Sequence, residues 1–415
     1  MVRSSGNGVI RTDLLVIGGG VMGLWAAWEA ARAGIDTLLA DATGPGVDKA
    51  SLTPVGALIP FAHEPKDPRL ADFQAAALRA MPAAVARLEA AADQAVGYRV
   101  AGRLIPLADE AAAARAAEVT ASGATRYPVG PTGEPGGWRV ADAVDADMLA
   151  GMVAPGERGS GVLVEHVSAQ VDTVALLAAL RRAVERDARL IEGARIDRLS
   201  ATAEGWHADG PAGAIEARRV VLAAGWQSTT LGATAGGDRS AGMAALRPVR
   251  GQAAWLRAAP GVLDDAMPII HAAPLYVAHH GGGRVGIGAT TEPGETAGGT
   301  DGRLDDVITL ARRVVPALET AKVEARWSAV RPRPPGTMPQ IGPVPEACAG
   351  APGLWLATGT YKIGVALAHH AAAGLAASLL SAEAVSGRVD GLPAAFAPGA
   401  DSDGRVTLPQ RQREA

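Results

Sequence analysis

The chain has 415 residues, 48% of them hydrophobic, and a formal net charge of −4. That length fits two domains, or two interleaved ones, with apolar residues enough for large cores. So small a charge excludes a basic nucleic-acid footprint and a polybasic membrane patch, which leaves a small molecule as the expected partner and a homo-oligomer open.

The sole cysteine, Cys348, rules out an intrachain disulfide framework and suits a reducing compartment. It falls in residues 346–350, expected to be a loop carrying a bystander thiol. The apolar run at 14–17 is too short for a signal peptide and leads straight into glycines. Residues 363–380 come nearest to a membrane span but contain His369 and His370, and they read better as a buried helix. The expectation is a soluble, cytoplasmic protein.

In chain order, residues 13–17 form an apolar run that reads as a buried strand. Residues 21–33 have helical propensity, and Gly34 ends that helix in the manner of a C′ glycine. A second strand at 37–40, closed by Asp41, completes a β-α-β unit. Residues 76–92 predict a surface helix with Met81, Val85 and Leu88 on one face, and 103–107 predict a strand. Glycine and proline make 123–137 an irregular excursion. An amphipathic helix at 174–185 and strands at 188–191 and 220–225 follow. Beyond Pro248, alternation predicts strands at 252–256, 275–278 and 284–288, with a turn at Gly281 to Gly283. Residues 304–315 and 317–323 look helical, 353–357 a strand, and 363–380 a final helix. The polar tail beyond Pro393 is expected to be poorly ordered. The pattern implies a cofactor domain assembled from several segments, with a sheet domain inserted between them.

The motif Gly18-Gly19-Gly20-Val21-Met22-Gly23 carries the first chemistry. Gly18 permits the tight turn out of the strand, Gly20 lets the backbone approach a pyrophosphate, and Gly23 lets the helix pack on the sheet. The helix N-terminus presents N–H groups and partial positive charge to phosphates. Asp41 lies 18 positions beyond Gly23, close to the roughly 20 expected of a ribose-binding acid. That acid argues against a 2′-phosphate. Whether the dinucleotide is FAD or NAD stays open on this unit alone.

Further segments resemble, in order, the D-amino-acid oxidase (DAO) family of FAD enzymes, in its glycine oxidase and sarcosine oxidase branch. The resemblance runs from about residue 13 to residue 380. It is carried by the glycine unit, by residues 50–60, 190–196, 220–226 and 248–252, and most strongly by 327–332, 338–343 and 359–364. It implies an α/β fold, with a Rossmann-like, glutathione-reductase-type FAD domain interleaved with an α+β substrate domain on an antiparallel or mixed sheet. The implied division is 1–80, 150–235 and 325–390 for the FAD domain, 81–149 and 236–324 for the substrate domain, and 391–415 as a tail.

The resemblance assigns cofactor contacts to Gly18, Gly20, Val21, Met22, Gly23, Asp41, Ala50 and Ser51. It adds Gly56, Ala57 and Leu58 lining the flavin, Ile196 at the adenine, and Ala224, Gly225 and Trp226 under the phosphates. At the last segment it adds Gly359, Tyr361, Lys362, Ile363 and Gly364 along the pyrimidine edge, beside Arg331. Arg331 stands at the position of a carboxylate-binding arginine, which suits a planar guanidinium. Tyr276 and Lys362 are the other candidate catalytic residues. His271 stands where the glycine oxidases have a tyrosine, and Lys362 where they have an arginine, so the substrate pocket is expected to differ. The stretch 333–337 lacks the tethering cysteine of the sarcosine oxidases, and Lys49 and Ala50 stand where related dehydrogenases tether by histidine, so the FAD is expected to be non-covalent. No metal is expected, because His279 and His280 point to opposite faces of a strand and His369 and His370 diverge on a helix. The implied activity is FAD-dependent oxidation of the C–N bond of a small amino acid or amine, a D-amino acid, glycine or an N-methyl amino acid. A 2-hydroxy-acid dehydrogenase or a non-catalytic flavoprotein subunit is the alternative.

Overall fold

The computed structural model describes residues 9–45, 49–60, 67–127, 138–140, 152–236, 243–381, 391–398 and 400. An eight-stranded sheet is built on the strand Ile10–Ile17, which runs parallel between Gly213–Leu222 and Thr37–Asp41. Arg189–Glu192 and Leu354–Thr358 extend the parallel set on the two sides. These five strands therefore end at one edge, where an open α/β sheet binds its ligands. Arg198–Thr202, Gly205–Gly210 and Gln340–Pro343 complete the sheet in antiparallel pairings.

The apolar run at 14–17 explains how both faces are covered. Leu14 and Val16 enter one core, and Leu15 and Ile17 enter another, because successive strand side chains face opposite ways. The first core lies under the helices Val21–Arg32, Pro68–Ala92, Thr173–Asp187 and Gly364–Leu380. Among the described residues, no helix is long and apolar enough to cross a membrane.

A nine-stranded sheet forms the second layer system. Its spine is Arg247–Arg257, which pairs antiparallel with Lys322–Arg333 on one side and with Arg284–Gly288 on the other. Leu275–His279, Ile269–Ala272, Arg103–Pro106 and Val162–Glu165 continue it. Val162–Glu165 and the end of Lys322–Arg333 thus lie in this sheet, although both fall in stretches expected in the FAD domain. The helix Pro68–Ala92 packs as one unit on the first core, across the expected boundary at residue 80.

Several local expectations are corrected. The helix expected from residue 76 starts at Pro68, because Asp67 caps it by accepting from the Arg69 N–H at 2.9 Å and Pro68 suits the first turn. Residues 317–323 are not a helix. A single turn, Pro316–Leu318, gives way to Lys322–Arg333, whose pairing with Arg247–Arg257 overrides the helical propensity of its start. The helix Glu110–Arg126 runs through Gly123, so the irregular stretch does not begin there, and residues 128–137 lie outside the described set. Cys348 sits not in a loop but on the short helix Glu346–Ala349, fully buried in the second core. The start of the tail is docked: Phe396 is buried, with its ring 4.9 Å from that of Phe73, and residues 401–415 lie outside the described set.

Candidate active site

The glycine turn opens onto a cavity of about 960 Å³ at the carboxyl edge of the first sheet. Gly18 has φ +113°, and a Cβ there would lie 2.5 Å from the Ala223 carbonyl oxygen. A Cβ at Gly23 would lie 1.9 Å from the Gly18 oxygen, so these two glycines serve the close approach of turn, strand and helix. A Cβ at Gly20 would meet only the Ser51 hydroxyl, at 3.3 Å, so this position leaves a cradle open to the cavity. Ser51 Oγ accepts the Val21 N–H at 3.0 Å, which places a hydroxyl beside the helix N-terminus.

Asp41 closes the second strand and is buried. Its carboxylate accepts from the Gly19 N–H, from the N–H and hydroxyl of Thr43 at 3.0 Å each, and from Lys49 Nζ at 2.6 Å. Burial alone would raise its pKa, but Lys49 and these donors together hold the group below the usual carboxylate range.

Of the sequence-derived cofactor residues, Gly18, Gly20, Val21, Met22, Asp41, Ala50, Ser51, Ala57, Ile196, Ala224, Gly225, Trp226, Arg331, Tyr361, Lys362, Ile363 and Gly364 line this one cavity. Tyr276 lines it as well. Gly56 and Leu58 do not, which corrects the expectation that 56–58 line the flavin together. On the strand Ala57–Leu58 only Ala57 faces the cavity, Leu58 is fully buried in the first core, and a Cβ at Gly56 would strike the Val171 oxygen at 2.0 Å. Gly23 and Gly359 also lie off the wall. The helices Val21–Arg32 and Gly364–Leu380 both start at the cavity with no cap from their own N-cap residues, Gly20 and Ile363, so two N-termini point their partial positive charge into one space.

At the far end the second sheet supplies the wall. Arg331 is buried, and its Nη1 donates to the Thr290 carbonyl at 3.1 Å. Gly251, on the paired strand, makes room for it, since a Cβ there would lie 1.9 Å from Arg331 Nη2. Burial depresses the Arg331 pKa, partly offset by Tyr361 and Glu292. Tyr276 stacks on its cross-strand partner His271, with ring centroids 4.0 Å apart and 9° between planes. His271 is buried off the wall and accepts from Arg103 Nη1 at 3.4 Å. Arg103 in turn pairs with Glu165 at 3.2 Å, both side chains being fully buried. Burial pushes the Tyr276 phenol up, against the lowering effect of Arg103, so it remains a hydrogen-bond donor at neutral pH. Lys362 Nζ reaches Thr291 Oγ1 at 3.3 Å. Protein crowding around it, then the charges of Arg331 and Arg333, push its pKa down to about 8.

Sequence reasoning missed Lys49, Thr43 and Asp197 near the Asp41 end, and the Thr296-Ala297-Gly298 stretch at the far end, all on the wall. Asp197 follows Ile196 directly, so adjacency could have found it. The stretch 296–298 carries no local signal. It is anchored by Arg250, which bridges Glu292 at 3.1 Å, Glu295 at 3.4 Å and Asp301, while Gln252 donates to Glu292 and Asp301 at 3.2 and 3.0 Å.

The donor set fits FAD: a backbone cradle at Gly20, a hydroxyl at Ser51, an acid at Asp41 and two open helix N-termini. The DAO family, described as FAD dependent oxidoreductase, matches residues 13–378. The glycine oxidase of Geobacillus kaustophilus is 30% identical over 229 residues, which are 54% of this chain and 54% of that protein. The chain thus aligns with about half the length of this curated relative. The crystal structure of a glycine oxidase from that organism superposes with a TM-score of 0.79 at 24% identity, over 94% of this chain and 99% of the other. Iminodiacetate oxidase from a Chelativorans species gives 0.78 at 23%, over 93% and 98%. The chain belongs to the DAO family of FAD dependent oxidoreductases.

Proposed function

We propose that the protein oxidises the C–N bond of a small amino acid or amine, with non-covalent FAD as the electron sink. One observation carries this: Arg331 is a buried guanidinium on the cavity wall with no carboxylate partner among the described residues. A buried cation without an anion is costly, and a planar substrate carboxylate compensates it through two parallel hydrogen bonds. Tyr276, rigidly stacked on His271, offers a hydroxyl beside the same carboxylate.

When bound, FAD would supply the two-electron acceptor for the hydride that leaves the substrate Cα. The chain's own residues orient and enclose the substrate. Arg331 and Tyr276 fix the carboxylate, Gly251 sets where the guanidinium can lie, and Ala289, Ala297 and Ala329 leave a small apolar space. The substrate nitrogen gives up a proton as the C–N bond becomes an imine, which water then cleaves to a carbonyl acid and an amine or ammonia. Ser51, Asp41 and Gly20 would hold the cofactor's phosphates and ribose, and the starts of Val21–Arg32 and Gly364–Leu380 would stabilise its negative charge. We retain the division of the chain into a discontinuous FAD domain and a substrate domain as part of this proposal. A cytoplasmic location belongs to it too, supported by the single buried cysteine.

The test is Arg331→Leu. The purified variant is expected to stay yellow and to lose most of its amine-oxidising activity. Unchanged kinetics would remove Arg331 from the site and the proposal with it.

A further inference from the structure

The substrate end of the cavity carries more positive charge than one carboxylate can neutralise. Arg331 and Lys362 both line it, and they hang on consecutive residues of one loop, through the Thr290 carbonyl and the Thr291 hydroxyl. Tyr361 lines the same cavity, with Lys362 Nζ 5.4 Å from its ring centroid and Arg333 Cζ 5.3 Å from it. Arg331 is buried, while Lys362 on the wall and Arg333 beyond it are exposed. None of the three has a carboxylate within ion-pair distance among the described residues. The carboxylates on the cavity wall, Asp41 and Asp197, belong to the adenosine end, where Asp41 is already held by Lys49. Glu292 lies behind Arg331 but is engaged by Arg250 and Gln252.

Like charges converging on a small cavity repel unless a ligand brings the countercharge. A monocarboxylic amino acid matches Arg331 and leaves Lys362 and Arg333 uncompensated. We propose, resting on the amine-oxidising reading above, that the preferred substrate is a dicarboxylic amine, with its reacting-end carboxylate on Arg331 and its second acidic group on Lys362, Arg333 drawing it in at the rim.

The groups facing Lys362 are Arg331 and Arg333 from the strand Lys322–Arg333, Tyr361 from its own turn and Thr291 from the loop opposite. Its ammonium, depressed to about 8, is charged at neutral pH and is lost above that value. The apparent affinity for a dicarboxylate therefore falls as pH rises past about 8, and that for a monocarboxylate does so much less.

Two measurements on the FAD-loaded protein test the proposal. The first is binding without turnover: flavin absorbance titrated with malonate, succinate and glutarate against acetate, propionate and butyrate. The second is kcat/KM for aspartate of both hands and iminodiacetate against glycine, alanine and sarcosine, in wild type, Lys362→Met and Lys362→Arg. The expected result is that at least one dicarboxylate binds roughly 10- to 100-fold tighter than its monocarboxylate counterpart, in the range of a hydrogen bond to a charged group. Lys362→Met then erases that advantage and Lys362→Arg largely restores it. Equal binding of the two series, or equal losses on both in Lys362→Met, would overturn the proposal and place Lys362 against the cofactor or solvent. Failure of every amine to reduce the flavin would sink the amine-oxidising reading instead, and the titration would still decide whether the site prefers two charges.

Discussion

Substituting Gly251 by alanine tests the proposed role of Arg331 in holding the substrate carboxylate. The new Cβ would fall 1.9 Å from Arg331 Nη2 and 2.3 Å from Cζ, whereas ordinary contact begins at about 3.4 Å. The backbone cannot absorb the difference, because Gly251 and Arg331 lie on strands paired in fixed register, Gly251 with Ala329 and Val249 with Arg331. The guanidinium must therefore move by about 1.5 Å, losing its hold on the Thr290 carbonyl. A misplacement of about 1 Å costs on the order of 100-fold in rate, and disrupting a buried charge pair costs about 2–5 kcal/mol. We expect kcat/KM for the best amine substrate to fall about 100-fold, mostly through KM, because the lost grip acts on bound substrate and transition state alike. The assay is steady-state kinetics with FAD content measured by visible absorbance in the same samples. A variant fully loaded with FAD whose kcat/KM stays within about threefold of wild type would refute the placement of Arg331.

Three more outcomes follow from the geometry. Ser51→Ala removes the acceptor of the Val21 N–H and a hydroxyl on the cavity wall, and should weaken FAD binding by about 1–2 kcal/mol in a fluorescence titration of the apoprotein. Gly18→Ala puts a Cβ 2.5 Å from the Ala223 oxygen at φ +113° and should give protein that is colourless or insoluble, where a yellow, stable variant would contradict the close turn. His369 is buried, donates to the Ala77 carbonyl at 2.9 Å and has its pKa pushed down to about 4 by burial and by His370. On acidification the unfolded chain binds this proton first, so His369 leaves stability intact above about pH 6.5 and costs about 3 kcal/mol by pH 4. Urea unfolding across that range should show a shallower acid loss in His369→Asn, and identical slopes would remove His369 as the cause.

The glycine unit and both flanking strands were legible because each signal is local: apolar runs for strands, glycines where turn and helix touch, an acid at the next strand end. Arg331 could be singled out from a segment pattern, but not the reason it stays buried, which is Gly251 some eighty positions earlier on a paired strand. Residues 317–323 misled for the same reason, since their local helical preference loses to a partner strand remote in sequence. The wall at Thr296 to Gly298 depends on ion pairs of Arg250 and hydrogen bonds of Gln252 to residues about forty or more positions away, which no periodicity reveals.

The most direct test of the central claim is anaerobic titration of the purified yellow protein with small amino acids, N-methyl amino acids and 2-hydroxy acids. Bleaching of the flavin by an amine bearing a carboxylate, lost in Arg331→Leu while the protein keeps its FAD, is the expected result. A flavin reduced only by hydroxy acids, or untouched by every member of the panel, would contradict it.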